Sequence, residues 1–214
     1  MMPLEYILND PEACKILNEK MDLILQAPED FDDRQQGCPE LSIAGQVFAY
    51  GHDGSCYLLL EDDTVAYVGA EGHSGRLAQT MADFFVLVIN CICWQDFTLC
   101  PGGDRNWFED RKVLSAFIEN HQEKQDRRIR DELAQRIDLP VYTELEPVLS
   151  RFYEITEREP RFTAFWNKEE KRISEGLLSD VDFDLCEKPV SSGKAESSLN
   201  MQDKEALRLK YHLE

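Results

Sequence analysis

The sequence predicts an α+β fold in which helices pack on an antiparallel or mixed sheet, with a helical extension in the C-terminal half. Three observations support this prediction. Short apolar runs separated by tight turns occupy residues 43–68, and a stretch that is apolar almost all round follows at 81–92. Charge-rich segments with helical apolar spacing occur beyond residue 112. Because a helix that is apolar on every side is usually buried, the stretch at 81–92 is expected to lie across the sheet.

The first predicted element is a helix that begins at Pro11 and ends before Pro28. Proline is favoured in the first turn of a helix and interrupts a helix further along. Acidic residues and turn formers fill positions 28–40, which are predicted to form a loop. The helix is predicted because its apolar residues recur at steps of three and four: Ile16, Leu17, Met21, Ile24 and Leu25.

Three short strands are predicted next, at residues 43–50, 56–60 and 64–68. The turn formers of Gly51–Ser55 and Glu61–Asp63 separate them, and this arrangement predicts an antiparallel meander. The strands are apolar along most of their length rather than at alternate positions. Both faces of the sheet are therefore expected to be at least partly covered.

The glycine-dense stretch GAEGHSG, at 69–75, is predicted to be a loop that leads to the buried helix. Thr80, with Asp83 three residues later, resembles a capping box in which Asp replaces the usual Glu. This pair predicts the start of the helix. The helix is predicted to be buried because its apolar residues lie on all sides: Met81, Phe84, Phe85, Leu87, Val88, Ile89 and Ile92.

The second half of the chain is predicted to be helical with one late strand. A linker at 101–104 precedes an amphipathic helix near 113–118. A mostly charged helix is predicted at 119–136 and a further helix at 145–153. The sequence RFTAFW, at 161–166, is predicted to be a strand.

These elements predict three regions. Residues 1–100 are expected to form the α+β core, and residues 101–186 a helical extension that packs on this core. Residues 187–214 are polar and rich in serine, which predicts a flexible segment with a short final helix.

The chain is strongly acidic, and the charge is unevenly spread. Its 214 residues contain 23 Lys and Arg against 42 Asp and Glu, which gives a net charge of −19. Residues 1–100 carry 17 acids and 4 bases, so the predicted core alone has a net charge of −13. Because such a surface repels phosphates, we expect binding neither to nucleic acid nor to an anionic membrane.

The cysteines and the start of the chain favour a cytoplasmic protein. The seven cysteines are an odd number and lie mostly among apolar neighbours, as reduced thiols do. Residues 1–30 lack the basic and apolar regions of a signal peptide. The longest apolar run is broken at Asn90 and is too short to span a bilayer.

No motif predicts a catalytic residue, a cofactor or a metal site. Neither Gly51–Ser55 nor residues 69–75 have the Lys of a Walker A loop or the GxGxxG spacing. His52, Cys56 and His73 lack the spacing of metal ligands, and the chain has no CxxC or HExxH. Three tryptophans have apolar neighbours and are interpreted as core residues: Trp94, Trp107 and Trp166.

Residues 41–97 resemble the SUKH superfamily of bacterial immunity and interaction proteins. The resemblance is carried by the order of strand, tight turn, strand, acidic turn, strand, glycine loop and apolar helix. The corresponding segments are FAYGHDGSCYLLL at 48–60, EDDTVAYVG at 61–69, AEGHSGRLAQT at 70–80 and MADFFVLVINCICWQDF at 81–97. Beyond them, CPGGDRNWFEDRKVL and DELAQRIDLP look like the helical extension of longer members.

The resemblance implies an α+β fold without enzymatic function. Members of the superfamily commonly bind and neutralise polymorphic toxins, often nucleases, while others are intracellular interaction modules. The acidic charge fits this role, because an acidic protein can cover the basic phosphate-binding surface of a nuclease.

Three functions are therefore considered. The first is an immunity protein whose acidic turns and tyrosines contact a toxin; its candidate residues are Tyr50, Asp53, Tyr57, Glu61, Asp62, Asp63, Tyr67 and Glu71. The second is an enzyme or small-ligand protein that uses Glu71 and His73 as base and acid, which requires both to face a concave pocket. The third is a scaffold or regulatory module without a toxin partner. The sequence names neither the partner nor the oligomeric state.

Overall fold

The computed structural model describes residues 4–26, 39–92, 94–95, 124–167 and 172–177. Its helices are α1 (Leu4–Leu8), α2 (Pro11–Met21), α3 (Met81–Asn90), α4 (Lys124–Arg136) and α5 (Glu146–Thr156). Its strands are β1 (Ile24–Leu25), β2 (Glu40–Leu41), β3 (Gly45–Tyr50), β4 (Cys56–Leu60), β5 (Val65–Val68), β6 (His73–Ala78), β7 (Ala164–Asn167), β8 (Arg172–Ile173) and β9 (Glu175–Gly176). Several predictions lie outside the described residues: the loop at 28–38, the linker at 101–104, the helix near 113–118, the assignment of Trp107, and the segment 187–214.

The fold is α+β, as predicted, with two sheets. The main sheet has the strand order β1-β3-β4-β5-β6-β9. Its first five strands pair antiparallel, whereas the short β9 pairs parallel with β6. A small antiparallel sheet has the order β2-β7-β8. The predicted meander is therefore confirmed as strands β3, β4 and β5.

Both faces of the main sheet are covered, as the apolar strands predicted. On one face, Phe48, Tyr57 and Tyr67 belong to a large apolar core that includes α3 and α5. On the other face, Val47, Leu58, Ala66 and Val68 form a second cluster with Phe162 and Ala164. Side chains of β4 and β5 alternate between these two clusters because successive residues of a strand point to opposite faces. In β3, Phe48 and Ala49 both join the large core, where the register with β4 shifts.

Helix α3 lies in the large core, and its predicted cap is confirmed. The Thr80 hydroxyl accepts a hydrogen bond from the Asp83 backbone N–H at 3.1 Å, and residues 84–90 are all buried. The helix also holds the chain that leads to α5. The Asn90 side chain donates to the Pro140 carbonyl at 3.2 Å and accepts from the Tyr142 N–H at 2.8 Å.

The prediction that one helix extends to residue 27 is wrong. Helix α2 ends at Met21, because Asp22 adopts a left-handed conformation with φ of 51°. Ile24 and Leu25 then form the edge strand β1, which pairs with the last residues of β3. The apolar spacing that predicted a longer helix arises because the strand residues are also partly buried.

The prediction of a loop over residues 69–75 is wrong for its second half. The turn is confined to Gly69–Gly72, and β6 begins at His73. Gly75 lies within this strand, where it pairs with Tyr67, and its missing side chain leaves room for Leu177: a Cβ there would lie 2.8 Å from Leu177 Cγ. Glycine in this strand allows a close approach between chains rather than forming a loop.

The described part of the C-terminal half packs on the sheet. The predicted helices at 119–136 and 145–153 correspond to α4 and α5, and the predicted late strand corresponds to β7. Leu133 of α4 and Leu149 and Phe152 of α5 lie in the same apolar core as α3. No helix among the described residues is long and apolar enough to cross a membrane.

Candidate functional site

The turns that carry the candidate residues lie at two opposite ends of the main sheet. Cys56 pairs with Tyr50 and with Val68, and Val68 pairs with Ser74, so the turns 51–55 and 69–72 share one end. The turn 61–63 lies at the other end, beyond Leu60. The strand between them is five residues long, which separates the two ends by about 13 Å or more. The predicted acidic residues therefore form two groups and not one patch.

We name these groups by their exposed glutamates. The Glu71 end consists of Asp22, His52, Asp53, Glu71 and Trp166. The Glu61 end consists of Glu61, Asp62 and Asp63.

The three hairpin turns have the same geometry. In the first, the Gly54 N–H donates to the Gly51 carbonyl at 3.1 Å. The equivalent bonds, Asp63 to Leu60 and Gly72 to Gly69, measure 3.0 and 3.1 Å. The third turn residue has a positive φ in every case: 90° at Gly54, 62° at Asp63 and 97° at Gly72. This is the three-residue hairpin loop in which a turn is followed by a left-handed residue.

At the Glu71 end, two carboxylates lie beside Gly51. The backbone N–H of His52 donates to Asp22 Oδ1 at 2.8 Å, and the imidazole Nδ1 contacts the same oxygen. The N–H of Ser55 donates to Asp53 Oδ1 at 2.9 Å. His52 and Asp53 are exposed, and the Asp22 side chain is 38% exposed. Both carboxylates are thus fixed by backbone donors and open to solvent.

Trp166, on β7, lies against the turn that carries Glu71. A Cβ on Gly72 would lie 3.9 Å from Trp166 Nε1, so the indole passes directly over this glycine. The Trp166 residue is 37% exposed, and Ile173 on the neighbouring β8 is 55% exposed. The interpretation of Trp166 as a core residue is therefore wrong, whereas Trp94, at 2% exposure, is a core residue as predicted.

At the Glu61 end, Asp62 is bound to a buried arginine. Arg76 is 2% exposed and donates from Nη2 to Asp62 Oδ2 at 2.9 Å. Its other nitrogens donate to Thr64 Oγ1 and to the carbonyls of Arg158 and Pro160. Burial would raise the pKa of Asp62, but hydrogen bonds from Thr64 and Arg76 outweigh this effect and lower the pKa. Asp62 therefore has a structural role, as the counter-charge of the buried Arg76.

Two of the three predicted tyrosine anchors are core residues, so the prediction that they contact a partner is wrong. Tyr57 is 1% exposed and Tyr67 is 5% exposed. Their rings pack on each other, with centroids 5.2 Å apart, and both contact Trp94. Burial raises the pKa of both phenols, that of Tyr67 to about 12. Only Tyr50 is half-buried and accessible from solvent.

Glu71 and His73 are not brought together in a described pocket. Glu71 is exposed at the tip of a hairpin turn, and His73 begins the next strand, where it pairs with Glu175. A described groove lies elsewhere, between β6, α3 and α5, with Leu77, Val86 and Phe152 among its lining residues. Glu71 is therefore outside the described groove, and its use as a catalytic base stays a prediction from the sequence.

The described residues also offer no cluster of metal ligands. Among them, no three His, Cys, Asp or Glu side chains converge in a way that would hold a metal ion. Cys14 is a free thiol. Cys14 and its carbonyl partner Ile7 connect α1 to α2, which is a packing role.

Comparisons with family models, with curated proteins and with solved structures give no match to this chain. The resemblance of residues 41–97 to the SUKH superfamily stays a prediction from the sequence. The α+β architecture rests on the structure described above.

Proposed function

We propose that this protein binds another protein through the Glu71 end of its sheet, and that it is an immunity protein that neutralises a toxin with a basic surface. The observation that carries the proposal is the exposed indole of Trp166, which lies over Gly72 beside the acidic turns. This combination was not predicted, because the sequence around Trp166 resembles that of a buried strand.

An exposed tryptophan on the central strand of the small sheet suits a protein interface. Tryptophan is among the residues that contribute most to binding when a partner covers them, because it buries a large apolar area and still donates a hydrogen bond. The adjacent strand carries a second exposed apolar residue, Ile173, which is paired with Phe165. Polar and charged residues commonly surround such an anchor, and Glu71 occupies that position here.

Charge supports a basic partner. The chain has a net charge of −19, and Asp53 and Glu71 are exposed at the same end of the sheet. Opposite charges on two proteins accelerate their encounter and exclude wrong partners. A nuclease toxin needs a basic surface to hold phosphates, so an acidic protein that covers this surface would block its substrate.

The test is binding to candidate basic toxin domains from the neighbouring genes, measured at low salt by surface plasmon resonance. We expect a complex, and we expect Trp166→Ala to weaken it by about 30-fold, the loss typical of an interface anchor. Trp166→Phe, which keeps an aromatic ring, should lose less. Failure to form any complex with a neighbouring toxin at low salt would contradict the proposal, and a stable complex with a protein that is not a toxin would favour a scaffold instead.

Two charge-matched double variants locate the surface. Asp53→Asn with Glu71→Gln removes two charges from the Glu71 end, whereas Glu61→Gln with Asp63→Asn removes two from the opposite end. We expect the first pair to slow association several-fold and to reduce its dependence on salt. The second pair should have a much smaller effect. Equal effects of the two pairs would place the interface elsewhere.

A further inference from the structure

We propose that a buried polar row on β6 positions the Trp166 indole over Gly72. The row consists of Ser74 and Arg76 on this strand and of Ser174, which joins Ser74 to β7. We call these three residues the Ser74 row. The inference rests on the proposed function, in which Trp166 is the binding anchor, and it adds the residues that hold this anchor in place.

The row lies between the main sheet and the chain that leads into β7. Ser74 pairs with Val68 and Arg76 pairs with Ala66, and directly paired residues of antiparallel strands lie on the same face of a sheet. Both partners belong to the second apolar cluster, which also contains Ala164. Ser74 and Arg76 are themselves buried, so their polar groups need partners on this face.

The row binds the chain before Trp166 at two points. Arg76 Nη1 donates to the Pro160 carbonyl. Further along the chain, the Ser174 hydroxyl accepts a hydrogen bond from the Ala164 N–H at 2.8 Å and shares another with the Ser74 hydroxyl. The second point lies only two residues before the tryptophan.

The indole makes the next contact in the same direction. Ala164 and Trp166 are two residues apart in β7, so their side chains point to the same face of that strand. Gly72 precedes Ser74 by two residues, and the indole Nε1 lies 3.9 Å from the position that a Cβ on Gly72 would take. The contact of the indole with Gly72 therefore follows from the placement that the row gives to the preceding residues.

Hydrogen bonds specify this placement, whereas apolar contacts alone do not. Burial of Phe162 and Ala164 in the second cluster is favourable in proportion to the area buried and is not directional. A slip of one residue in β7 would turn Trp166 to the opposite face of its strand. The same slip would separate the Ala164 N–H and the Arg76 guanidinium from their buried acceptors, which is costly.

The experiment measures the ring-current effect of Trp166 on the Hα resonances of Gly72 in the isotope-labelled full-length protein. Trp166→Leu removes the indole, so the difference between its Gly72 shifts and those of wild type defines the full effect. Ser174→Ala removes the hydroxyl that joins Ser74 to Ala164. This variant keeps the backbone bond of 2.8 Å from the Ser174 N–H to the Ala164 carbonyl. We expect it to lose about half of the ring-current effect or more, because the Ala164 N–H no longer has its acceptor.

A second variant breaks the same link from the side of β6. Ser74→Ala leaves the bond between the Ala164 N–H and the Ser174 hydroxyl in place, so it is the milder change. We expect it to reduce the ring-current effect in the same direction. Each variant is also made in the Trp166→Leu background, where it should leave the Gly72 shifts unchanged, because the indole that moves them is absent.

Thr156→Val is the matched control for stability. Its hydroxyl donates to the Arg76 carbonyl at 2.9 Å from α5, so the variant loses a hydrogen bond to the same strand without changing the row. Urea denaturation should show a loss of stability, while the Gly72 shifts stay those of wild type. In the toxin titration, we expect Ser174→Ala to weaken binding about threefold and to have no further effect in the Trp166→Ala background.

Four outcomes would overturn the inference. These are an unchanged ring-current effect in both serine variants, an equal loss in Thr156→Val, equal shift changes with and without the indole, and additive weakening of the toxin complex. Since the measurements on Gly72 need no partner, their failure is distinguishable from the absence of a toxin complex.

Discussion

Arg76 connects segments that are far apart in the sequence. Its guanidinium binds Asp62 and Thr64 in one hairpin and the carbonyls of Arg158 and Pro160, more than 80 residues away. Its own carbonyl accepts a hydrogen bond from Thr156 at 2.9 Å. A buried cation of this kind stabilises the fold only while its acceptors are complete.

Removal of the charge on Asp62 should therefore destabilise the protein. We expect Asp62→Asn to lower the free energy of unfolding by about 2–3 kcal/mol, because the Arg76 guanidinium then stays buried without a counter-charge. Asp63→Asn, at the exposed neighbouring residue, should change it by less than about 0.5 kcal/mol. Urea denaturation measures both, and equal values for the two variants would contradict this role of Asp62.

The same pair predicts a dependence on pH. Because the pKa of Asp62 is lowered in the folded protein, its contribution to stability is complete above its unfolded pKa of about 3.9. The contribution is lost as the pH falls through the lower folded value. The difference in unfolding free energy between wild type and Asp62→Asn should thus be largest near neutral pH and shrink below about pH 4. A difference that grows in acid would refute the assignment.

The sequence predicted the secondary structure of single residues better than the exposure of their side chains. Tyr57 and Tyr67 lie in strands covered on both faces, where alternation gives no sign of which side chains reach solvent. Trp166 has apolar neighbours but follows the covered part of its strand, so it passes over Gly72 and stays partly exposed. Which end of a strand is covered depends on distant segments and cannot be read from local pattern.

Among the elements, the hairpins illustrate how backbone conformation selects residues. The left-handed positions are Gly54, Asp63 and Gly72. A Cβ on Gly54 would have no atom within 4 Å, and on Gly72 only Trp166 at 3.9 Å. Any cost of a side chain there must come from the backbone and not from a collision.

We expect Gly54→Ala and Gly72→Ala each to lower the free energy of unfolding by about 1 kcal/mol, the cost of a left-handed residue with a Cβ. Asp63→Gly should leave stability unchanged or raise it by up to about 1 kcal/mol, since the same strain is then relieved. Thermal unfolding followed by circular dichroism compares the three variants. A loss of stability in Asp63→Gly similar to that in Gly54→Ala would argue against a shared turn geometry.

Elements with a strong local signal were predicted correctly. Strands β3 to β5 are bounded by turn formers, and α3 begins at a side-chain cap and is apolar all round. The errors occurred where tertiary contacts decide. Ile24 and Leu25 pair with the edge of β3, and Gly75 pairs with Tyr67 in a strand that Leu177 covers. The sequence around these residues does not indicate either contact.

In the molecule as a whole, one large core unites distant parts of the chain. Leu17, Phe84, Leu133 and Phe152 belong to it, although they span α2, α3, α4 and α5. The helices and the sheet are therefore expected to unfold together, in one transition.

The variant Phe152→Ala tests whether the helices and the sheet unfold in one transition. We expect a loss of about 3–5 kcal/mol, typical of a buried aromatic side chain replaced by alanine, with a single transition retained. Tyr6→Ala, at a residue that is 54% exposed, should have a small effect. Fluorescence and far-ultraviolet circular dichroism should give coincident urea curves for all three proteins. Separate midpoints for the two signals would indicate that the helices around α5 fold independently of the sheet.

The common geometry of the three turns has a consequence for how such a protein could diversify. In each hairpin, two residues precede the left-handed residue and take no part in the pairing of the strands. Three of these six side chains are held by neighbours: His52 by Asp22, Asp53 by the Ser55 N–H, and Asp62 by Arg76. No such contact is described for Ala70 or Glu71. Substitutions at these two residues could therefore change which partner the Glu71 end binds, while the fold stays the same.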